Sequence, residues 1–343
     1  MNKRERFVVG PVTLAVNYRT MAISAVLIVV CLALALLALS VGSVTLSPIA
    51  VLEALMGQSS GPERFIVETL RLPRVIMAFL VGAALGLSGL ILQALVRNPL
   101  ASPDILGISG GASVAAVAFL SFLTPWLAIQ WLPVVAIAGA LIAAATIYLL
   151  AWNRGVSPVR LVLIGIGLSA AMGAATTLMI TLSPITTTMT AYTWLTGSVY
   201  GADWDDIRAL APWLLVMLPL VLSQSRTIDL HEFGDALATG LGLPVQRSRL
   251  YLLCLSVALA GIAVAHAGAI GFVGLIAPHI GRRLVERQFA GLAPVTAMIG
   301  GLLVLTGDLI GRTLFVPLDL PAGVFVSAVG APFFVYLLFR QRY

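Results

Sequence analysis

Ten apolar runs divide the chain, at 21–41, 74–96, 105–123, 132–152, 160–182, 209–223, 250–269, 271–285, 292–311 and 322–339. About 20 apolar residues suffice to cross a bilayer as a helix. The pattern therefore predicts an all-α polytopic membrane protein with about ten transmembrane helices. Gly268, Gly271 and Gly274 interrupt the stretch 250–285. They favour a tight turn between two helices over one long helix with a re-entrant piece. The first run follows Lys3, Arg4, Arg6 and Arg19. It is longer than a signal-peptide core of roughly 7–15 residues, so it is read as a retained first helix. Residues 1–20 form a basic N-terminal segment, and 21–343 form a single transmembrane domain.

Loop charge orients these helices. With the N-terminus inside and the runs alternating, five of the 20 basic residues fall outside: Arg64, Arg71, Arg74, Arg208 and Arg312. The rest lie inside, as the positive-inside rule requires, and an even helix number also brings Arg340 and Arg342 inside. Both termini are thus expected to be cytoplasmic. The composition agrees: 60% of residues are hydrophobic and 10% charged, against about 25% charged in a soluble domain. The pI near 9.8 does not indicate nucleic acid, because the arginines are spread singly and form no basic face. Cys31 and Cys254 lie in apolar runs as small hydrophobes. His231, His266 and His279 lack zinc-ligand spacing, and no metal site is expected.

The helices are rich in small residues, as in "VGAALGLSG" at 81–89 and "GGLLVLTGDLIG" at 300–311. Such residues let backbones approach closely in lipid. The motif Gly-x-x-Gly-Leu-Ile occurs twice, at 86–91 and 271–276. Ser47-Pro48 opens a short helix outside. The outer stretch 183–208 is rich in threonine and aromatic residues. The longest inner loop, about 224–249, places Phe233, Leu237 and Leu241 at i, i+4, i+8. That spacing gives a short amphipathic helix, lying either on its own bundle or against a cytoplasmic partner.

Several chemistries are missing. Lys3 is the only lysine, so no Walker A loop is present. "GISGG" at 107–111 has neither the lysine nor the strand of a phosphate loop. No Ser/His/Asp constellation appears, and no catalytic residue is expected. An ion-coupled carrier needs an intramembrane ionisable group, for which Asp308 is the best candidate. Arg312 lies four residues on, so the pair is read as a structural ion pair near the outer surface. What remains is a bundle driven by an energy source outside the chain.

The stretch "RLPRVIMAFLVGAALGLSGLILQALVRNPLASPDILGISGGA" at 71–112 closely resembles the permeases of binding-protein-dependent ABC importers for iron-siderophores, heme and vitamin B12. So do "GAIGFVGLIAPHIGRRL" at 268–284, "GDLIGR" at 307–312 and "LPAGVFVSAVGAPFFVYLL" at 320–338. The resemblance, of the FecCD type, implies a type II ABC importer permease fold in the cytoplasmic (inner) membrane. It implies a second permease subunit, identical or paralogous, two cytoplasmic ATPase subunits that use ATP and Mg, and an extracytoplasmic substrate-binding protein. No cofactor is bound by the permease itself. The implied cargo is a ferric siderophore, with heme or cobalamin as alternatives on the same fold. The pathway would be lined by about 160–182, 322–339 and 188–199.

By the same resemblance Asn98, Pro99 and Leu100 form a cytoplasmic gate, with Gly155, Val156 and Ser157 as its second element. Pro99 cannot continue a helix, and Pro103 pushes Ser102 away from helical geometry. Arg71, Arg74 and Arg312 are expected to dock the binding protein. Glu232, Phe233, Gly234, Asp235, Ala236, Leu237 and Leu241 align with the segment that couples to the ATPase. Where many members carry Glu before the last Leu-Pro, this chain has Asp319.

Overall fold

The computed structural model describes residues 4–9, 12–59 and 61–340. A hairpin of β1 (Arg4–Val9) and β2 (Val12–Asn17), paired from Arg4 opposite Asn17 to Val9 opposite Val12, leads into α1 (Tyr18–Ser40). The hairpin lies within the segment read from sequence only as a basic tail. α2 (Pro48–Leu55) starts where the Ser47 hydroxyl accepts the Ala50 N–H at 3.1 Å, with Pro48 in the first turn. α3 (Pro62–Phe65) passes through one wide helical turn at Ile66–Arg71 into α4 (Leu72–Val96). α5 (Ile108–Ala118) continues through a second wide turn to Leu123, and α6 (Leu132–Ala151) and α7 (Pro158–Leu182) follow. α8 (Ile185–Thr196) is short. α9 (Trp204–Ser223) begins with a capping box in which Asp203 and Asp206 exchange hydrogen bonds with each other's backbone. The polar loop beyond it folds into α10 (Ser225–Glu232) and α11 (Asp235–Gly240). α12 (Val245–Ala267), α13 (Val273–Leu284), α14 (Phe289–Thr313) and α15 (Ala322–Arg340) complete the chain.

Every predicted apolar run carries a helix: α1, α4, α5, α6, α7, α9, α12, α13, α14 and α15. Eight described helices are long and apolar enough to cross a membrane. The α5 helix is shorter, because Pro103 and the left-handed Gly107 delay its start to Ile108. α13 has 12 residues, about 18 Å at 1.5 Å per residue. The turn at 268–272 divides it from α12, as the glycines indicated.

α4 is the centre of the bundle. Its best apolar window is 83% buried, against 11% for α1 and 17% for α7. It packs on α12, α13 and α14. The two Gly-x-x-Gly-Leu-Ile motifs meet here. A Cβ on Gly89 would strike the Gly274 backbone, and one on Gly274 would lie 3.1 Å from the Leu85 carbonyl. The repeated motif therefore marks the close crossing of α4 and α13, the contact that small residues permit in lipid. Next to Gly89 in the chain, Ser88 donates to the Ser256 carbonyl at 2.8 Å and the two hydroxyls meet at 2.7 Å, locking α4 to α12.

Candidate functional site

One end of the bundle gathers the C-terminus of α4, the start of α12 and the polar loop, with most of the arginines. α4 stops at Arg97, which adopts a left-handed backbone at φ 56°. The Asn98 side chain then accepts the Leu100 N–H at 2.9 Å, closing an Asx turn that Pro99 keeps out of helix. Leu100 packs on the cluster of Leu275, Ile276 and Leu337. The chain re-enters the bundle at Asp104, whose carboxylate accepts the Ser109 hydroxyl at 2.6 Å and the Phe272 N–H at 3.3 Å. The acidic residue of this loop therefore fixes the irregular start of α13, where Phe272 is left-handed.

The second loop runs from Trp152 to Ser157. Trp152 and Val156 form an isolated bridge, Gly155 has φ 124°, and the Ser157 hydroxyl caps the Arg160 N–H at 3.3 Å. Val156 is buried and held on both sides of its peptide. Its N–H donates to Gln246 Oε1 at 2.9 Å, and its carbonyl accepts from Arg249 Nη1. Both partners come from the first turns of α12.

The loop predicted to couple lies beside these two. Phe233, Leu237 and Leu241 are 64%, 61% and 67% exposed. They face away from the bundle, not back onto it. Gly234, at φ 95°, separates Phe233 from α11, so the helix is shorter than the i, i+4, i+8 spacing suggested. Asp235 opens α11, and its two oxygens accept from Arg249 Nη2 at 2.8 and 2.9 Å. Arg97 Nη2 lies 3.4 Å from the same carboxylate. Arg249 is only 1% exposed. Asp235 is itself partly exposed, so the pair is worth less than a fully buried one but more than the exposed Arg97 pair, for which about 0–1 kcal/mol is typical.

His231 packs beneath this pair and meets the Ser248 hydroxyl at 2.7 Å. Burial and the nearby Arg249 charge push its pKa down to about 4, with Arg97 adding to the effect and Asp235 opposing it. Glu232 faces a cavity of about 280 Å³ that Asn98 and Pro99 also line, with Arg282 and Arg287. Ala236 is on the exposed face of α11. The structure thus brings the two loops predicted as gates to one carboxylate on the predicted coupling segment. Sequence reasoning missed Arg249 and Gln246, which carry the connection. Their only signal was position: they start an apolar helix instead of lying in the loop, where inside arginines were expected.

The arginines at the opposite end point differently from the expectation. Arg71, Arg74 and Arg312 were expected to face a docking partner, but their side chains turn inward. Arg71 donates to the carbonyls of Leu39 at 2.6 Å and Ser40 at 3.1 Å, and also to Val44. Arg312 donates to the Ala38 carbonyl. The cause is the end of α1, which has no basic residue in its last turn. Its orphan carbonyls, at the negative end of the helix dipole, are capped by arginines from two other helices. Arg74 donates to Asp308 at 2.8 Å and to both oxygens of Asp319 at 2.7 Å, and lies 5.4 Å from the Tyr200 ring centroid. Asp308 and Arg312 do form the expected ion pair, at 3.6 Å, but Arg74 is the nearer partner. The three arginines still line a cavity of about 650 Å³ that also includes Tyr200, Asp203 and Asp319.

Comparison with known proteins accords with this geometry. The achromobactin transport system permease protein CbrC of Dickeya dadantii is 54% identical over 328 residues, covering 96% of this chain and 94% of the relative. The iron(3+)-hydroxamate import system permease protein FhuG of Bacillus subtilis is 40% identical over 328 residues, covering 94% and 97%. A solved metal-chelate type ABC transporter in an inward-facing conformation superposes with a TM-score of 0.83 at 28% identity, covering 93% of this chain and 99% of that one. Residues 23–340 match the FecCD transport family throughout. With its ten-helix bundle and loop-rich basic end, the chain is a member of the FecCD transport family.

Proposed function

We propose that the chain is the membrane-spanning permease subunit of an ATP-driven importer that moves an iron–siderophore complex across the cytoplasmic membrane. The basic end faces the cytoplasm, and both termini lie on that side. One observation carries the reading: an exposed apolar segment, Phe233, Leu237 and Leu241, sits on the basic end and is tied through Asp235 to both inner loops. A chain without a Walker A lysine needs an external motor, and this segment is where a separate ATPase subunit docks. A second permease subunit, identical or paralogous, completes the pathway.

The iron–siderophore cargo is supported by the names of the relatives, which include achromobactin and iron(3+)-hydroxamate systems. The cavity of about 650 Å³ at the opposite end is where we place an extracytoplasmic binding protein. Arg71, Arg74 and Arg312 there fix the floor of the cavity and are not free side chains. The environment of Asp308, held between Arg74 and Arg312, supports a structural ion pair over a proton relay. The test is uptake of ⁵⁵Fe presented as a panel of ferric siderophores to cells with and without the chain, with heme and cobalamin in parallel. Loss confined to ferric siderophores is expected. Unchanged uptake of all of them would remove the cargo assignment, and loss of heme or cobalamin uptake alone would replace it.

A further inference from the structure

We infer that Asp235 is the junction through which movement of the docking segment reaches both inner loops, with Arg97 and Arg249 as its two arms. This rests on the reading of 233–241 as the ATPase-docking segment.

The geometry has three parts. First, the two arginines lead to different loops. Arg97 is the chain neighbour of Asn98, so its backbone is the beginning of the first loop. Arg249 belongs to α12 but holds the Val156 carbonyl of the second loop through Nη1 while Nη2 holds Asp235. Second, the Arg249 arm is stiff. Its guanidinium is planar and buried at 1% exposure, with its two terminal nitrogens on different partners. A displacement of Asp235 is therefore passed to Val156 and little is absorbed by side-chain rotation. Gln246 grips the N–H of the same residue, so loop and helix start are held together at Val156. Third, the Arg97 arm depends on the absence of a side chain at 234. A Cβ on Gly234 would lie 2.8 Å from Arg97 Nη1, and its backbone is at φ 95°. The arms differ in strength: Arg249 is buried with contacts of 2.8 and 2.9 Å, while Arg97 is 3.4 Å away and partly exposed.

Arg249 and Arg97 are positioning residues under this scheme: they touch neither cargo nor nucleotide. The loops respond together because both are tethered to one carboxylate. The arms also rank in effect, with Arg249 above Arg97.

The test uses the chain assembled with its ATPase subunits in proteoliposomes, with the binding protein and a ferric siderophore. It measures cargo moved per ATP hydrolysed. Coupling between linked sites commonly spans about 5–150-fold. Arg249→Gln is expected to lower the ratio about tenfold or more while the ATPase subunits still co-purify, and Arg97→Gln to lower it about fivefold. Gly234→Ala should act in the same direction as Arg97→Gln, by displacing that guanidinium. A purely structural role would reduce the amount of complex and its melting temperature but leave the ratio unchanged. An unchanged ratio in both arginine variants overturns the inference. So does a parallel fall of transport and hydrolysis. If Arg249→Gln fails to fold, the exposed Arg97→Gln decides alone, and an unchanged ratio there is equally fatal. Docking is tested separately by Leu237→Asp with Leu241→Asp. Retention of the ATPase by that variant would remove the docking reading and not the measurement on the arms.

Discussion

The two ends of the bundle both collect arginines and aspartates, yet they use them differently. At the end away from the basic loops Arg71 and Arg312 cap the last carbonyls of α1, while Arg74 binds Asp308 of α14 and Asp319 in the segment before α15. Each contact joins one framework element to another. At the basic end Asp235 belongs to a surface segment whose apolar residues are exposed among the described residues, and its arginines lead into the loops at 97–104 and 152–157. The same residue types therefore build a rivet at one end and a linkage at the other. What separates them is whether a partner side chain belongs to an exposed segment.

Substitutions can break this contrast. The largest effect is expected at Arg74. Arg74→Met leaves Asp308 buried without its nearest cation and should cost about 3–5 kcal/mol, read as a lower unfolding temperature of the detergent-solubilised protein. Charge reversal of Arg71 and Arg74 together should prevent folding altogether, because both sites are interior. Recovery of well-folded protein from that double variant would mean that these arginines are not rivets.

The next effect is pH-dependent and belongs to the basic end. His231 is neutral when folded, with its pKa held near 4 against an ordinary value of 6.5. Its folded pKa is depressed, so its contribution is fully present above pH 6.5. The contribution is lost as pH falls toward 4, because only the unfolded chain takes up the proton in that window. The full loss is about 3 kcal/mol. His231→Gln should flatten this part of the stability–pH curve, and an unaltered acid limb would contradict the placement. The smallest effect on stability is expected for Leu237→Asp with Leu241→Asp, within about 0.5 kcal/mol because both sites are surface positions. The same variant should release the ATPase. An unfolded product would show that the patch is packed within the chain.

Much of the framework is legible in the sequence, because hydropathy and glycine content act locally. Ten apolar runs give ten helices, Gly268 and Gly271 mark the α12–α13 break while Gly274 falls inside α13, where it packs on α4, and Pro99 marks the end of α4. The direction of long charged side chains is not local. Arg71 and Arg74 stand at the start of α4, but the unmet carbonyls at the end of α1, more than 30 residues earlier, draw Arg71 inward. Asp319, read only as a shortened acid, is the bidentate partner of Arg74. Arg249 escaped notice for a related reason: its two partners lie 14 residues and 93 residues back along the chain.

The most direct test of an external motor acting through 233–241 is ferric-siderophore uptake by proteoliposomes holding the chain, its ATPase subunits and the binding protein. ATP is supplied on the ATPase side, and any ion gradient is collapsed by an uncoupler. Uptake should require ATP, persist with the uncoupler and vanish in the Leu237→Asp, Leu241→Asp variant. Uptake that runs on a gradient without ATP, or that survives in that variant, would contradict it.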